Sequence, residues 1–148
     1  MKHLKFAAFA ALISSLFAAA PLTAGEPSAD NRWEKTVFHI DEMRNARWAL
    51  LLARAYLEDS PGARLAIVAY GPGVDFLLEG TNDPRGQPYD PAVLDLIEKG
   101  VVFSVCGTTL KARDIDPDTV LPGVKIVPSG ITEIARLQIR EGYAYLKP

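Results

Sequence analysis

The sequence predicts a three-layer α/β/α domain on a mostly parallel sheet of about five strands. Two observations predict it. Short β-branched and aromatic runs alternate with longer amphipathic segments through one connected chain, an order that calls for crossover connections and a sheet covered on both faces. The amphipathic segments also carry helix start and stop residues at their ends.

The domain begins at "KTVFHI" (35–40), a short apolar run bounded by charges and read as a buried strand. In "DEMRNARWALLLARAYLEDSPG", Met43, Ala46, Leu50, Ala53 and Leu57 recur at helical spacing, and Ser60, Pro61 and Gly62 end the helix. "ARLAIVAY" (63–70) is the second strand, followed by the turn "GPG" and a short helical piece, "VDFLLEG". The loop "TNDPRGQPYD" leads to "PAVLDLIEKG", with proline at a helix start and glycine at its end. "VVFSVC" (101–106) is the third strand and "GTTLKARDI" starts a short helix. After the acidic link "DIDPDTVLPG" come the short strand "VKIVP" and the helix "SGITEIARLQIREG", capped by Ser129 and ended by Gly142. "YAYLKP" alternates as a last, edge strand. Internal repeats and low-complexity tracts are absent.

Ahead of the domain, "MKHLK" and the uncharged apolar run "FAAFAALISSLFAAA" have the layout of a secretory signal peptide. The run is shorter than the ~20 residues that span a bilayer. Cleavage is expected near Ala24, after "PLTA". The expected organisation is a signal peptide at 1–24, a flexible lead-in at 25–34 and one α/β domain at 35–148, exported to the periplasm with no membrane anchor left after cleavage. The whole chain balances 16 basic against 18 acidic residues, and losing Lys2 and Lys5 makes it more acidic. With no lysine or arginine run, nucleic acid is not an expected partner.

One cysteine cannot form an intramolecular disulfide, so Cys106 is buried and inert, bonded to another molecule, or chemically used. No cysteine pair and no histidine pair at ligand spacing supports a metal site. Cys106 closes the third strand, and sites in open parallel sheets form where strand ends meet helix N-termini. If "GTTLK" starts a helix, its free amides favour thiolate over thiol. Gly107 then allows close approach, and Thr108 and Thr109 add hydroxyl donors. The bland alternative is a packed strand-end thiol, since free cysteine is among the most buried residue types. His39 ends the first strand at the corresponding level, as a base or polar neighbour on one reading and as a hydrogen-bonded strand histidine on the other. Asp41 and Glu42 suit a solvated helix N-terminus. "GPG" lacks the spacing of a dinucleotide loop and any Walker-type lysine, so it is read as a turn and no cofactor is expected. No "GxSxG" elbow is present, and Ser129 is read as a cap.

Several segments, in order and covering nearly all of residues 35–148, together resemble the DsrE/DsrF-like family, part of the DsrE/TusD-type sulfur-relay superfamily, in its exported single-domain branch. They are "VFHIDE", "NARWAL", "VAYGPGVDFLL", "GVVFSVCGTTLKARDI" and "LPGVKIVPSGITEIARLQIREGYAYLKP". The resemblance implies that Cys106 takes a sulfane sulfur as a persulfide and passes it to a partner's thiol. It implies a pocket shaped by Gly107, Thr108 and Thr109, with His39 and Asn45 as weaker candidates for its wall. It also implies a sulfur donor and acceptor, protein or small sulfane-sulfur compound, and a homotrimer or homohexamer. The rival expectation is a noncatalytic binding or assembly module of the same fold, with a structural cysteine.

Overall fold

The computed structural model describes residues 34–148, so the expected signal peptide and nearly all of the lead-in lie outside the described residues. All five expected strands form: β1 (Lys35–Ile40), β2 (Arg64–Ala69), β3 (Val102–Cys106), β4 (Lys125–Val127) and β5 (Ala144–Leu146). They make one sheet in the order β4-β3-β2-β1-β5, and every pairing is parallel. The last strand is indeed at an edge. Central β1, β2 and β3 are buried almost throughout, whereas β4 and β5 are short and largely exposed, so the long apolar runs of the sequence mark the strands with a neighbour on each side.

Four α-helices connect them: α1 (Met43–Asp59), α2 (Asp90–Glu98), α3 (Gly107–Ala112) and α4 (Gly130–Glu141). Among the described residues no helix is long and apolar enough to cross a membrane. The Ser129 hydroxyl accepts from the Thr132 amide at the start of α4, and Gly142 ends it in the left-handed region at φ 74°. One local difference from the sequence reading lies at "GPGVDFL". The turn and the helical piece fuse into a single 3-10 helix over Gly71–Leu77, because Pro72 fits a first helical turn and Gly73 lets it pass over the end of β1. A Cβ at Gly73 would sit 2.2 Å from the Ile40 carbonyl oxygen.

The two faces of the sheet are unequal. Phe38, Ile40, Leu65, Ile67, Ala69, Phe103 and Val105 point to the larger core with α1, α2 and the 3-10 helix, where Phe76 and Tyr89 are fully buried. Each such side chain contributes about 1.5–3 kcal/mol through burial. The opposite face is a smaller core in which Val37, Ala66 and Val68 meet Ile134 and Leu137 of α4. Strand side chains alternate between faces, so His39, Ser104 and Cys106, in phase with Val37, Ala66 and Val68, fall on the α4 face.

Candidate functional site

Cys106 ends β3 and is at the same time the N-cap residue of α3. The strand therefore delivers the side chain to the carboxyl edge of the sheet, at the start of a helix, as its position after "VVFSV" implies. What the tertiary structure adds is a second helix start. Gly130, the first residue of α4, lies so close that a Cβ there would meet the Cys106 Cβ at 3.2 Å and the Tyr70 Cβ at 3.1 Å. A Cβ at these distances is tighter than ordinary van der Waals contact, so glycine suits the close approach.

Consequently the sulfur sits among donors from two helices. The amides of Thr108 and Thr109 in α3 and of Gly130 in α4, together with the Thr109 hydroxyl, lie near it, although the Cys106 side chain makes no capping hydrogen bond and the Thr108 amide donates to the Pro128 carbonyl at 3.2 Å. Burial, with Cys106 only 6% exposed, pushes the thiol up, but the Thr109 hydroxyl and the three amides outweigh burial and hold it below its ordinary value. The arrangement favours an anionic sulfur.

The two adjacent threonines separate. The Thr109 hydroxyl accepts the Gly71 amide hydrogen at 3.0 Å, which ties the start of α3 to the turn after β2. The Thr108 hydroxyl donates to the Pro128 carbonyl at 2.8 Å and its backbone amide donates to the same oxygen at 3.2 Å, so Thr108 ties the start of α3 to the segment before α4 rather than offering the expected hydroxyl to the sulfur. Successive helix residues point about 100° apart, and this is why two like neighbours do different work. Gly107 has the role its lack of a side chain suggests: a Cβ would come within 3.0 Å of the Val127 carbonyl oxygen, so glycine lets β4 run close beside the start of α3.

His39 is on the same face but two strands away, level with Ser104 rather than with Cys106. Its Nδ1 is hydrogen-bonded to the Tyr145 hydroxyl at 2.7 Å, its ring stacks on Tyr70 at 4.5 Å, and Nε2 is buried without a partner. Burial lowers its pKa from the ordinary 6.5, against the raising effect of the Asp41 carboxylate, and the Lys147 ammonium lowers it further. The imidazole is therefore neutral at pH 7. Asp41 is itself paired with Lys147, whose ammonium holds the carboxyl below its ordinary value. Asn45 lies in the first turns of α1, in the layer on the opposite face from Cys106, and its amide donates to the Glu42 carbonyl at 3.1 Å.

Three residues of the site escape a sequence reading. Tyr70 stands between His39 and Cys106, and the only hint of it is that "AIVAY" ends β2 at the level where "FSVC" ends β3. Gly130 is hidden behind Ser129, which accounts for the helix start by itself. Gly71 is a turn glycine, with φ 56°, and its amide reaches a threonine 38 residues away. Among the described residues no group of three or more histidine, cysteine or acidic side chains is placed to hold a metal ion.

The model of the DsrE/DsrF-like family matches residues 35–148, from the first residue of β1 to the end of the chain. Among solved structures, the protein of unknown function MTH1491 from Methanobacterium thermoautotrophicum is 36% identical, over 76% of this chain and 97% of its own, with a TM-score of 0.68. The ychN protein from E. coli shares the fold at 18% identity, over 77% of this chain and 99% of its own, with a TM-score of 0.64. No curated protein matches the chain. With a parallel five-stranded sheet, a cysteine at the carboxyl end of its third strand and a family match across the whole domain, this chain belongs to the DsrE/DsrF-like family.

Proposed function

We propose that this protein is a sulfur carrier that forms a persulfide on Cys106. The observation that carries the reading is the place of Cys106 at the carboxyl end of β3, where the starts of α3 and α4 meet, with its thiol held below the ordinary value. Membership of a family with sulfur-relay members supports it. In the proposed step, the Cys106 thiolate attacks the outer sulfur of a persulfide or polysulfide. A new S–S bond forms on Cys106, the donor's S–S bond breaks, and the donor thiolate leaves with the electron pair. Release reverses this, as the acceptor's thiolate attacks the outer sulfur and Cys106 departs as thiolate. No external oxidant or reductant is required. The amides that favour the resting thiolate also favour it as the leaving group.

Export to the periplasm, and a donor and acceptor found there, form part of this proposal and rest on the N-terminal sequence. Assembly as a homotrimer or homohexamer is a further part of it. The competing reading, a binding module with a structural thiol, is favoured by one observation, the 6% exposure of Cys106. The deciding experiment is intact-mass measurement after incubation with polysulfide. A gain of one sulfur, removed by reductant and absent in Cys106→Ser, is expected. A native thiol that neither gains sulfur nor reacts with iodoacetamide until the protein unfolds would leave the structural reading standing.

A further inference from the structure

On the face opposite Cys106, the outer side of α1 leaves two large apolar side chains in water. Trp48 is 57% exposed and Leu51 55%, and three residues apart on a helix they are neighbours. With the loop 81–89 that leads into α2 they line a groove of about 350 Å³. The loop is held by bonds that use up the acid at hand. The Asp83 carboxylate accepts the amides of Arg85 and Gln87, each at 2.9 Å, and pairs with Arg47 at 3.0 Å. Arg47 also donates to the Gln87 carbonyl at 2.9 Å and lies 4.4 Å from the centre of the Tyr89 ring. The groove therefore has its shape before anything enters, which lowers the ordering cost of a partner. Two more of its lining residues, Arg44 and Arg85, are exposed and stand in no ion pair among the described residues. An exposed tryptophan set among arginines is the composition that carries binding energy at protein interfaces.

The same chain carries a complement. The link between α3 and β4 presents Asp116, Pro117 and Asp118, all exposed, at the start of a 3-10 turn over Pro117–Thr119. Asp116 Oδ1 accepts the Asp118 amide at 3.0 Å, and the Thr119 hydroxyl donates to the Asp116 carbonyl at 2.7 Å, so this turn is also fixed in advance. Neither carboxylate is in an ion pair among the described residues. We propose that the Trp48 groove receives the Asp116–Asp118 turn of a second copy of this chain, with Pro117 against the indole and the two carboxylates on Arg44 and Arg85. Opposite charges select this pairing, and like charges disfavour groove on groove and turn on turn. Each copy offers one groove and one turn, so the contact can repeat from copy to copy until a ring closes. The inference rests on the assembly part of the proposed function, which it deepens by naming the two surfaces, and it is independent of the chemistry at Cys106.

The test is sedimentation equilibrium of the purified protein over a concentration series. Trp48→Ala is expected to raise the dissociation constant roughly thirtyfold, the effect of truncating an interface hot spot. Arg44→Glu with Arg85→Glu, and separately Asp116→Asn with Asp118→Lys, should each weaken assembly roughly tenfold or more. Asparagine keeps the acceptor that holds the turn. All four charge changes in one chain should recover most of the lost affinity, because the signs are then exchanged. Every altered position is exposed, and thermal melts check folding; a variant that melts early is replaced by Arg85→Gln or Asp118→Asn, read in the same way. Variants that assemble like the wild type would overturn this pairing and leave the assembly reading standing. A wild type that stays monomeric would overturn both. Dissociation with no recovery in the combined chain would mean that groove and turn do not bind each other, which again overturns the pairing.

Discussion

Two buried titratable groups on the same face of this sheet meet opposite fates. Cys106 at the end of β3 and His39 at the end of β1 are 6% and 5% exposed, so desolvation opposes a charge on both. At Cys106 the neighbouring amides and a hydroxyl outweigh it, and the thiol is held below its ordinary value. At His39 one tyrosine hydroxyl and an aromatic stack do not, and the neutral form is favoured. The difference lies in which backbone groups are free. The β3 end meets the starts of α3 and α4, where amides have no partner within their helices. The β1 end meets the side chains of β5 and its tail, Tyr145 and Lys147, and the nearby cation works against a protonated imidazole. Burial alone therefore does not say whether a group is poised to react; the donors around it do.

The largest expected break in this contrast is Gly130→Ala. Its Cβ would press on Tyr70 and Cys106 at 3.1 and 3.2 Å, so this contact must give by a few tenths of an ångström, and the expected outcome is that the start of α4 shifts away from the sulfur with its amide. Alkylation of Cys106 at pH 7 should slow on the order of tenfold through the lost hydrogen bond to a charged group. Overpacking at this contact should also cost about 1–3 kcal/mol of stability. Denaturant unfolding beside the alkylation profile separates the two effects, and an unchanged profile would remove Gly130 from the site.

A smaller effect is expected at the other end of the sheet, in the pH dependence of folding. His39 has a folded pKa below its unfolded 6.5, so as pH falls below 6.5 the unfolded chain takes up a proton that the folded chain resists. Stability should fall as pH drops below 6.5 and be free of this contribution well above it. The carboxylates held low by ion pairs, Asp41 and Glu133, respond at lower pH and leave this window largely to His39. Thermal melts of wild type and His39→Gln across these values check it: the wild type should lose melting temperature on acidification and the variant should be flatter. Equal slopes would show that the imidazole is not held neutral by the fold.

How far the chemistry could be read in advance follows the same division between local and assembled features. The central strands were legible because "TVFHI", "LAIVA" and "VFSVC" carry apolar residues on both faces, and Ser129 and Gly142 mark the ends of α4 by local chemistry alone. Cys106 was legible as a strand end before a helix. Its strongest neighbours were not, because Gly130 and Gly71 act through backbone amides that every residue but proline possesses, and only the fold brings them near. His39 was visible as a titratable strand-end residue, but its distance from Cys106 depends on strand order. With β2 between them, Tyr70 fills the intervening place.

The smallest expected effect is the sharpest on this point, because it concerns two adjacent residues of one type. Thr108 and Thr109 send their hydroxyls to different places: one to the Pro128 carbonyl, which also takes the Thr108 amide, the other to the Gly71 amide. Thr108→Ala removes an exposed hydroxyl whose bond contributes about 0.5–1 kcal/mol, while the backbone amide bond to the same Pro128 carbonyl remains. The alkylation midpoint should stay at the wild-type value, and urea unfolding should register the small loss. A midpoint raised as far as in Thr109→Val would mean that the two hydroxyls are interchangeable, and the donor set would then owe its composition to the local sequence rather than to the neighbouring loop and helix.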